Sequence, residues 1–154
     1  MKQRIYIDTS VIGGYYDEKF KDDTRALFGR LKNREIAFIL SDILELELTN
    51  APQRVRELLS KFPTSIYEYV SITEEVVKLA DTYVYEKVVG ETSITDCRHI
   101  AMATVCKADV LASWNFRHIV NLDRIKGYNS VNLRLGYHLL EIRSPKDLLH
   151  YESE

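Results

Sequence analysis

Strand-like apolar runs alternate with helical stretches along this chain, and that alternation limits the folds open to it more than any other feature. Ile5-Tyr6-Ile7 and Ile36-Ala37-Phe38-Ile39-Leu40 are continuous runs of the kind found in strands covered on both faces, and Asp109 to Trp114 reads as a further strand. Ser65 to Val70 suits a short edge strand, and Leu139 to Ile142 a last short one. Parallel neighbours need crossover connections, so strands separated by helices predict a three-layer α/β/α sandwich. Its central sheet is expected to be mostly parallel, with about four to five strands.

The helical stretches carry recognisable ends. A short turn follows Asp8 to Gly13-Gly14, and Asp22 to Leu31 gives a second helix. Ser41 suits an N-cap for Asp42 to Thr49, and Pro52 opens a helix through Leu59. Ser71-Ile72-Thr73-Glu74 has the pattern of a capping box for a helix through Lys87, broken over Val88 to Thr92 at Gly90. Ser93-Ile94-Thr95-Asp96 repeats that pattern before the alanine-rich Cys97 to Lys107. Asn121 to Leu135, ending at Gly136, and a brief helix after Ser144-Pro145 complete the series.

A length of 154 residues suits one domain spanning 1–154, with enough chain to bury a core. The formal charge of -2 gives no global sign of polyanion binding, so any such contact must come from local clustering. The sequence shows neither an apolar run long enough to span a membrane nor a signal-peptide pattern, and it reads as soluble and cytoplasmic. Cys97 and Cys106 fall on one helix about 13 Å apart, too far to pair, and read as reduced thiols.

Three acids stand where such a sheet binds ligands. Asp8 ends the first strand, and in open parallel sheets the carboxyl edge is the ligand edge. The average direction of Ile43, Leu44, Leu46 and Leu48 nearly coincides with Glu47, which places that carboxylate on the buried face or at its rim, whereas Glu45 points to solvent. Asp96 opens a helix, where it either caps the helix with Ser93 or joins the other two. Carboxylates gathered together repel, and a hard divalent cation is their natural counter-ion. No phosphate-loop or dinucleotide motif occurs, and His99, His118, His138 and His150 lack zinc spacing and read as surface or internally bonded side chains.

Four segments together resemble the PIN-domain nucleases, and most closely the VapC-type toxins of type II toxin–antitoxin pairs. They are Ile7-Asp8-Thr9-Ser10-Val11; Ser41 through Glu47-Leu48; Asp96 with Ile100-Ala101-Met102-Ala103; and Val110 through Trp114-Asn115-Phe116-Arg117-His118. The resemblance implies an endoribonuclease in which Asp8, Glu47 and Asp96 are catalytic and bind Mg²⁺ or Mn²⁺. Where many family members place a fourth acid, this chain has Asn115, which could offer a carbonyl oxygen to the metal, and then His118; Asp123 is a further acid nearby. The alternative is a catalytically weak PIN-like RNA-binding module. Ser10, Arg117 and Arg124 are the candidate RNA contacts; Lys126, Arg134, Trp114, Phe116 and Tyr128 lie in the same stretch, where a solvated face and core packing compete as explanations. A small antitoxin and a homodimer partner are further expectations of the resemblance.

Overall fold

The computed structural model describes residues 2–90 and 93–151, with no side-chain description for His150 and Tyr151. Glu91 and Thr92, part of the expected break after the long helix, lie outside the described residues. Five strands form one sheet: β1 (Gln3–Ile7), β2 (Ile36–Ser41), β3 (Tyr67–Val70), β4 (Val110–Ala112) and β5 (Ile142–Arg143). Their order is β3-β2-β1-β4-β5, and every neighbouring pair is parallel. The helices are α1 (Thr9–Gly14), α2 (Lys21–Lys32), α3 (Asp42–Leu48), α4 (Gln53–Glu57), α5 (Glu74–Tyr85), α6 (Ile94–Val105), α7 (Leu122–Arg134) and α8 (Pro145–Tyr151). None of the described helices is long and apolar enough to cross a membrane.

The continuous apolar runs bury both sheet faces, as expected for alternate side chains of a covered strand. Ile5, Ile7, Phe38, Leu40, Val110 and Ala112 pack with Leu27, Phe28 and Leu31 of α2 on one face. Tyr6, Ile39 and Leu111 pack on the other with α5, α6 and α7. Burying each large aliphatic side chain here is worth about 1.5–3 kcal/mol. Helix α6 is buried at Cys97 and from His99 through Thr104, and its small residues Ala101 and Ala103 suit a helix enclosed in this way.

The sheet order has one reversal. Chain leaves β1 to pair β2 on one side, and later returns to pair β4 on the other. The crevice between the carboxyl ends of β1 and β4 is therefore the switch point at which open α/β sheets bind ligands. Asp8 follows β1 there, and Ser113-Trp114-Asn115 follow β4.

Three local expectations change. Thr73, not Ser71, caps α5, its hydroxyl accepting from the Val76 amide; Asp42 holds the Ile72 amide at 3.0 and 3.1 Å and keeps that segment out of the helix. The helix after Pro52 ends at Glu57 and continues as a 3₁₀ turn over Leu58–Lys61. Strand β5 is only two residues long. The Asn129 amide takes both the N–H and the C=O of Leu140, at 2.8 and 3.0 Å, replacing the strand partner that Leu140 would otherwise need.

Helix α1 is held tightly beneath this crevice. A Cβ at Gly14 would stand 2.7 Å from the Trp114 ring and 2.9 Å from Thr24 Oγ1, whereas one at Gly13 meets nothing within 4 Å. Gly14→Ala is expected to cost about 1–3 kcal/mol of stability as an overpacking change. Gly13→Ala should be neutral or stabilising by up to about 1 kcal/mol. Urea unfolding of the two variants measures the difference, and equal effects would contradict the packing described.

Candidate active site

Asp8 is the innermost of the acids, with only 4% of its surface exposed. It caps α1 through the Val11 amide at 3.3 Å. Two serine hydroxyls donate to it: Ser10 to Oδ1 at 2.6 Å and Ser113 to Oδ2 at 2.5 Å. Those hydroxyls in turn accept the backbone amides of Trp114, at 2.8 Å, and Asn115, at 2.9 Å. One buried charge thus orders the loop after β4 through two parallel relays. Burial pushes the Asp8 carboxyl above its ordinary value despite these hydrogen bonds.

Glu47 occupies the rim rather than the interior. Leu46, counted with the apolar stripe in the sequence, is 72% exposed, which moves the buried face of α3 away from Glu47. The carboxylate, 35% exposed, nevertheless turns one oxygen inward. Oε1 accepts from Thr9 Oγ1 at 2.7 Å and pairs with Nε2 of His99, while Oε2 has no partner among the described residues. Burial raises this carboxyl, but the hydrogen bond and charge of His99, together with the hydrogen bond from Thr9, outweigh it and hold Glu47 below its ordinary value.

Asp96 sits in the first turn of α6 with its side chain 24% exposed. Ser93 makes no capping bond, because its hydroxyl faces His118 Nδ1 at 3.0 Å; the second capping box is not formed. Oδ2 of Asp96 meets both His118 Nδ1, at 3.2 Å, and Asn115 Nδ2, at 3.3 Å. Oδ1 has no partner among the described residues. Glu47 and Asp96 therefore share a pattern in which one oxygen is pinned and the other has no partner among the described residues.

Asn115 is turned the other way from the expected metal ligand. Its Oδ1 accepts the amides of Arg117, at 3.2 Å, and His118, at 3.0 Å, which only an oxygen can do, so its two lone pairs are used and the NH₂ group faces Asp96. Ser10 and Arg124, candidate RNA contacts, spend their polar groups inside the protein: Ser10 in the Asp8 clamp and Arg124 on the carbonyl of Val88. Arg117 is exposed, and its side chain has no partner among the described residues. Trp114 is buried and stacked on Phe20 with ring centres 4.2 Å apart, Tyr128 is fully buried, and Phe116 remains exposed. Asp123 lies exposed in the first turn of α7.

The residue missed in the sequence is His99, 2% exposed and bonded at both ring nitrogens. Its signal was the three-residue spacing from Asp96, which places both on one face of α6. Ser113 was visible in the motif, but its role toward Asp8 is not readable from spacing.

The donors suit a hard cation: carboxylate oxygens, with no thiol among them. Among the described residues, however, no three His, Cys, Asp or Glu side chains stand together closely enough to hold a metal ion. The arrangement fits Mg²⁺ as that ion is commonly held, by one or two carboxylates, waters and substrate phosphates, and does not fit an all-protein cage.

No protein-family model matches the sequence, and no curated protein matches it. Solved structures do. The structure of Mycobacterium tuberculosis VapC20, a sarcin-ricin loop cleaving toxin, aligns with a TM-score of 0.57 and 11% identity over 73% of this chain and 91% of that one. VapBC2 from Rickettsia felis, bound to a DNA fragment from its promoter, aligns at 0.57 with 14% identity over 92% and 98%. FitAcB from Neisseria gonorrhoeae aligns at 0.59 with 14% identity over 92% and 98%. The all-parallel sheet flanked by helices is thus the PIN-like fold of VapC-type toxins.

The two shifted carboxyls predict opposite stability effects. Asp8 holds its proton more tightly folded than unfolded, so its charge opposes folding increasingly as pH rises above the ordinary 3.8, and fully once pH passes its raised value. Glu47 holds its proton less tightly folded, so its stabilisation is full above the ordinary 4.5 and is lost as pH falls through the lowered value. Asp8→Asn should melt higher than the parent at pH 7 and Glu47→Gln lower, both differences shrinking in acid. Thermal unfolding across pH checks this, and a lower melting temperature for both at pH 7 would contradict it.

Proposed function

We propose that this chain is a metal-dependent endoribonuclease and the toxin of a toxin–antitoxin pair. One observation supports the reading: Asp8 follows β1 at the switch point, and Glu47, in the helix after β2, and Asp96, at the start of α6, each keep one carboxylate oxygen without a partner among the described residues. The fold shared with VapC20, named as a sarcin-ricin loop cleaving toxin, supports an RNA substrate. The likeness to VapBC2 supports a small antitoxin partner.

Glu47 and Asp96 would hold Mg²⁺ or Mn²⁺ with their free oxygens, and Asp8 adds negative charge behind them. A cation bound there supplies Lewis-acid charge at the scissile phosphate and a water acidic enough to attack it. The chain's own residues do the positioning. Ser10 and Ser113 fix Asp8 and, through the amides of Trp114 and Asn115, the loop that carries Arg117. Arg117 offers its guanidinium to the RNA backbone, and exposed Phe116 offers a face to an unpaired base.

The use of both Asn115 lone pairs by backbone amides favours a second reading, a weakly catalytic RNA-binding module. Cleavage assays separate the two. Asp8→Asn and Asp96→Asn should each lower RNA cleavage in Mg²⁺ or Mn²⁺ by at least about 100-fold, the loss typical of removing a positioned group from a reaction centre, and chelator should abolish it. Unchanged cleavage in both variants would refute the nuclease mechanism. RNA affinity retained in chelator, without Mn²⁺ binding or cleavage by the parent, would support the module.

A further inference from the structure

We propose that His99 is a positioning residue for Glu47, its Nε2–H aimed at that carboxylate by a buried hydrogen-bond relay that starts at the cap of α3. This inference rests on Glu47 being a cation ligand, as proposed above. The relay runs from the Leu44 amide to Ser41 Oγ at 3.2 Å, from Ser41 to the Tyr6 hydroxyl at 2.8 Å, from Tyr6 to His99 Nδ1 at 2.7 Å, and from His99 Nε2 to Glu47. Ser41, Tyr6 and His99 are all buried.

The direction of the bond to Glu47 follows from donor counting. An ionised Glu47 only accepts, so Nε2 of His99 carries a proton. Nδ1, on the other side of the ring, is held by the Tyr6 hydroxyl, which bonds Ser41, whose oxygen accepts the Leu44 amide. The ring is thus fixed from inside with Nε2–H toward the carboxylate.

The outcome at Glu47 is geometric. His99 from inside and Thr9 from the side bind the same oxygen, Oε1, and a carboxylate held at one oxygen has its other oxygen fixed in direction. A carboxylate at a rim otherwise samples several rotamers, and ordering it on metal binding costs entropy. Ligating carboxylates are generally held by such outer hydrogen bonds, whose loss lowers metal affinity or activity roughly 10- to 100-fold. The link also couples the sheet to the site: Tyr6 lies within β1, two residues before Asp8, so one strand supports two of the acids.

The tests use the full chain. His99→Phe keeps a ring but cannot donate, and should weaken Mn²⁺ binding, read by paramagnetic resonance of Mn²⁺ without RNA, roughly 10- to 100-fold. The same variant should lower kcat with little change in KM for RNA. His99→Gln restores a donor toward Glu47 and should recover most of the Mn²⁺ affinity. Val131→Ala, a core truncation on α7, controls for stability: it should lower the melting temperature and leave Mn²⁺ affinity unchanged. Imidazole ¹⁵N shifts of the metal-free parent should show a proton on Nε2, a readout that needs no variant to fold. A His99 with Nε2 bare would overturn the inference, as would equal Mn²⁺ affinity in the parent, His99→Phe and His99→Gln proteins. Either result leaves the nuclease reading standing. A parent that binds Mn²⁺ with the expected His99 dependence but cleaves no RNA overturns the nuclease reading alone.

Discussion

The buried charge of Asp8 is the constraint around which the switch-point crevice is built. A lone carboxylate in that position would be strongly disfavoured, and two serine hydroxyls and one helix amide answer it. The serines come from different parts of the chain, Ser10 after β1 and Ser113 after β4, and each also accepts a backbone amide of the post-β4 loop. Satisfying one charge therefore joins two neighbouring strands' carboxyl ends and sets the path of Trp114 and Asn115. Trp114 then packs against Gly14, where no side chain fits, and closes the base of the site.

Glu47 and Asp96 solve a different problem. Both are partly exposed to water and need no full complement of donors, and each is pinned through one oxygen by a histidine and a second side chain. Nature's alternative, a preassembled ring of ligands, is absent among the described residues. A site that leaves oxygens unsatisfied and keeps one acid raised in pKa gives up stability, as functional sites commonly do.

The fold was largely legible because β1 and β2 are covered on both faces and their apolar runs leave no second reading. The start of β5 was not, since an asparagine side chain from α7 replaces strand pairing at Leu140, a long-range contact with no local signal. Asp8 and Asp96 were marked by position, at a strand end and a helix start. Of the two positions the sequence left open for Glu47, buried face or rim, the rim is the one observed, because Leu46 faces solvent despite being apolar. Asn115 could be read as a ligand from its chemistry alone; the turn that uses its oxygen is visible only in three dimensions. His99 looked ordinary in the sequence for a sound reason: a buried histidine with satisfied nitrogens is common, and only its partner makes it matter.

The central claim is that a divalent cation binds at the switch-point edge, held by Glu47 and Asp96 with the charge of Asp8 behind them. Titrating the ¹³C-labelled parent with Mn²⁺ at neutral pH, while following side-chain carboxylate signals, tests it most directly. The account predicts that these three signals broaden first, at substoichiometric Mn²⁺. Earlier broadening of acids far from the crevice, such as Glu74 or Asp22, with these three unaffected, would contradict it.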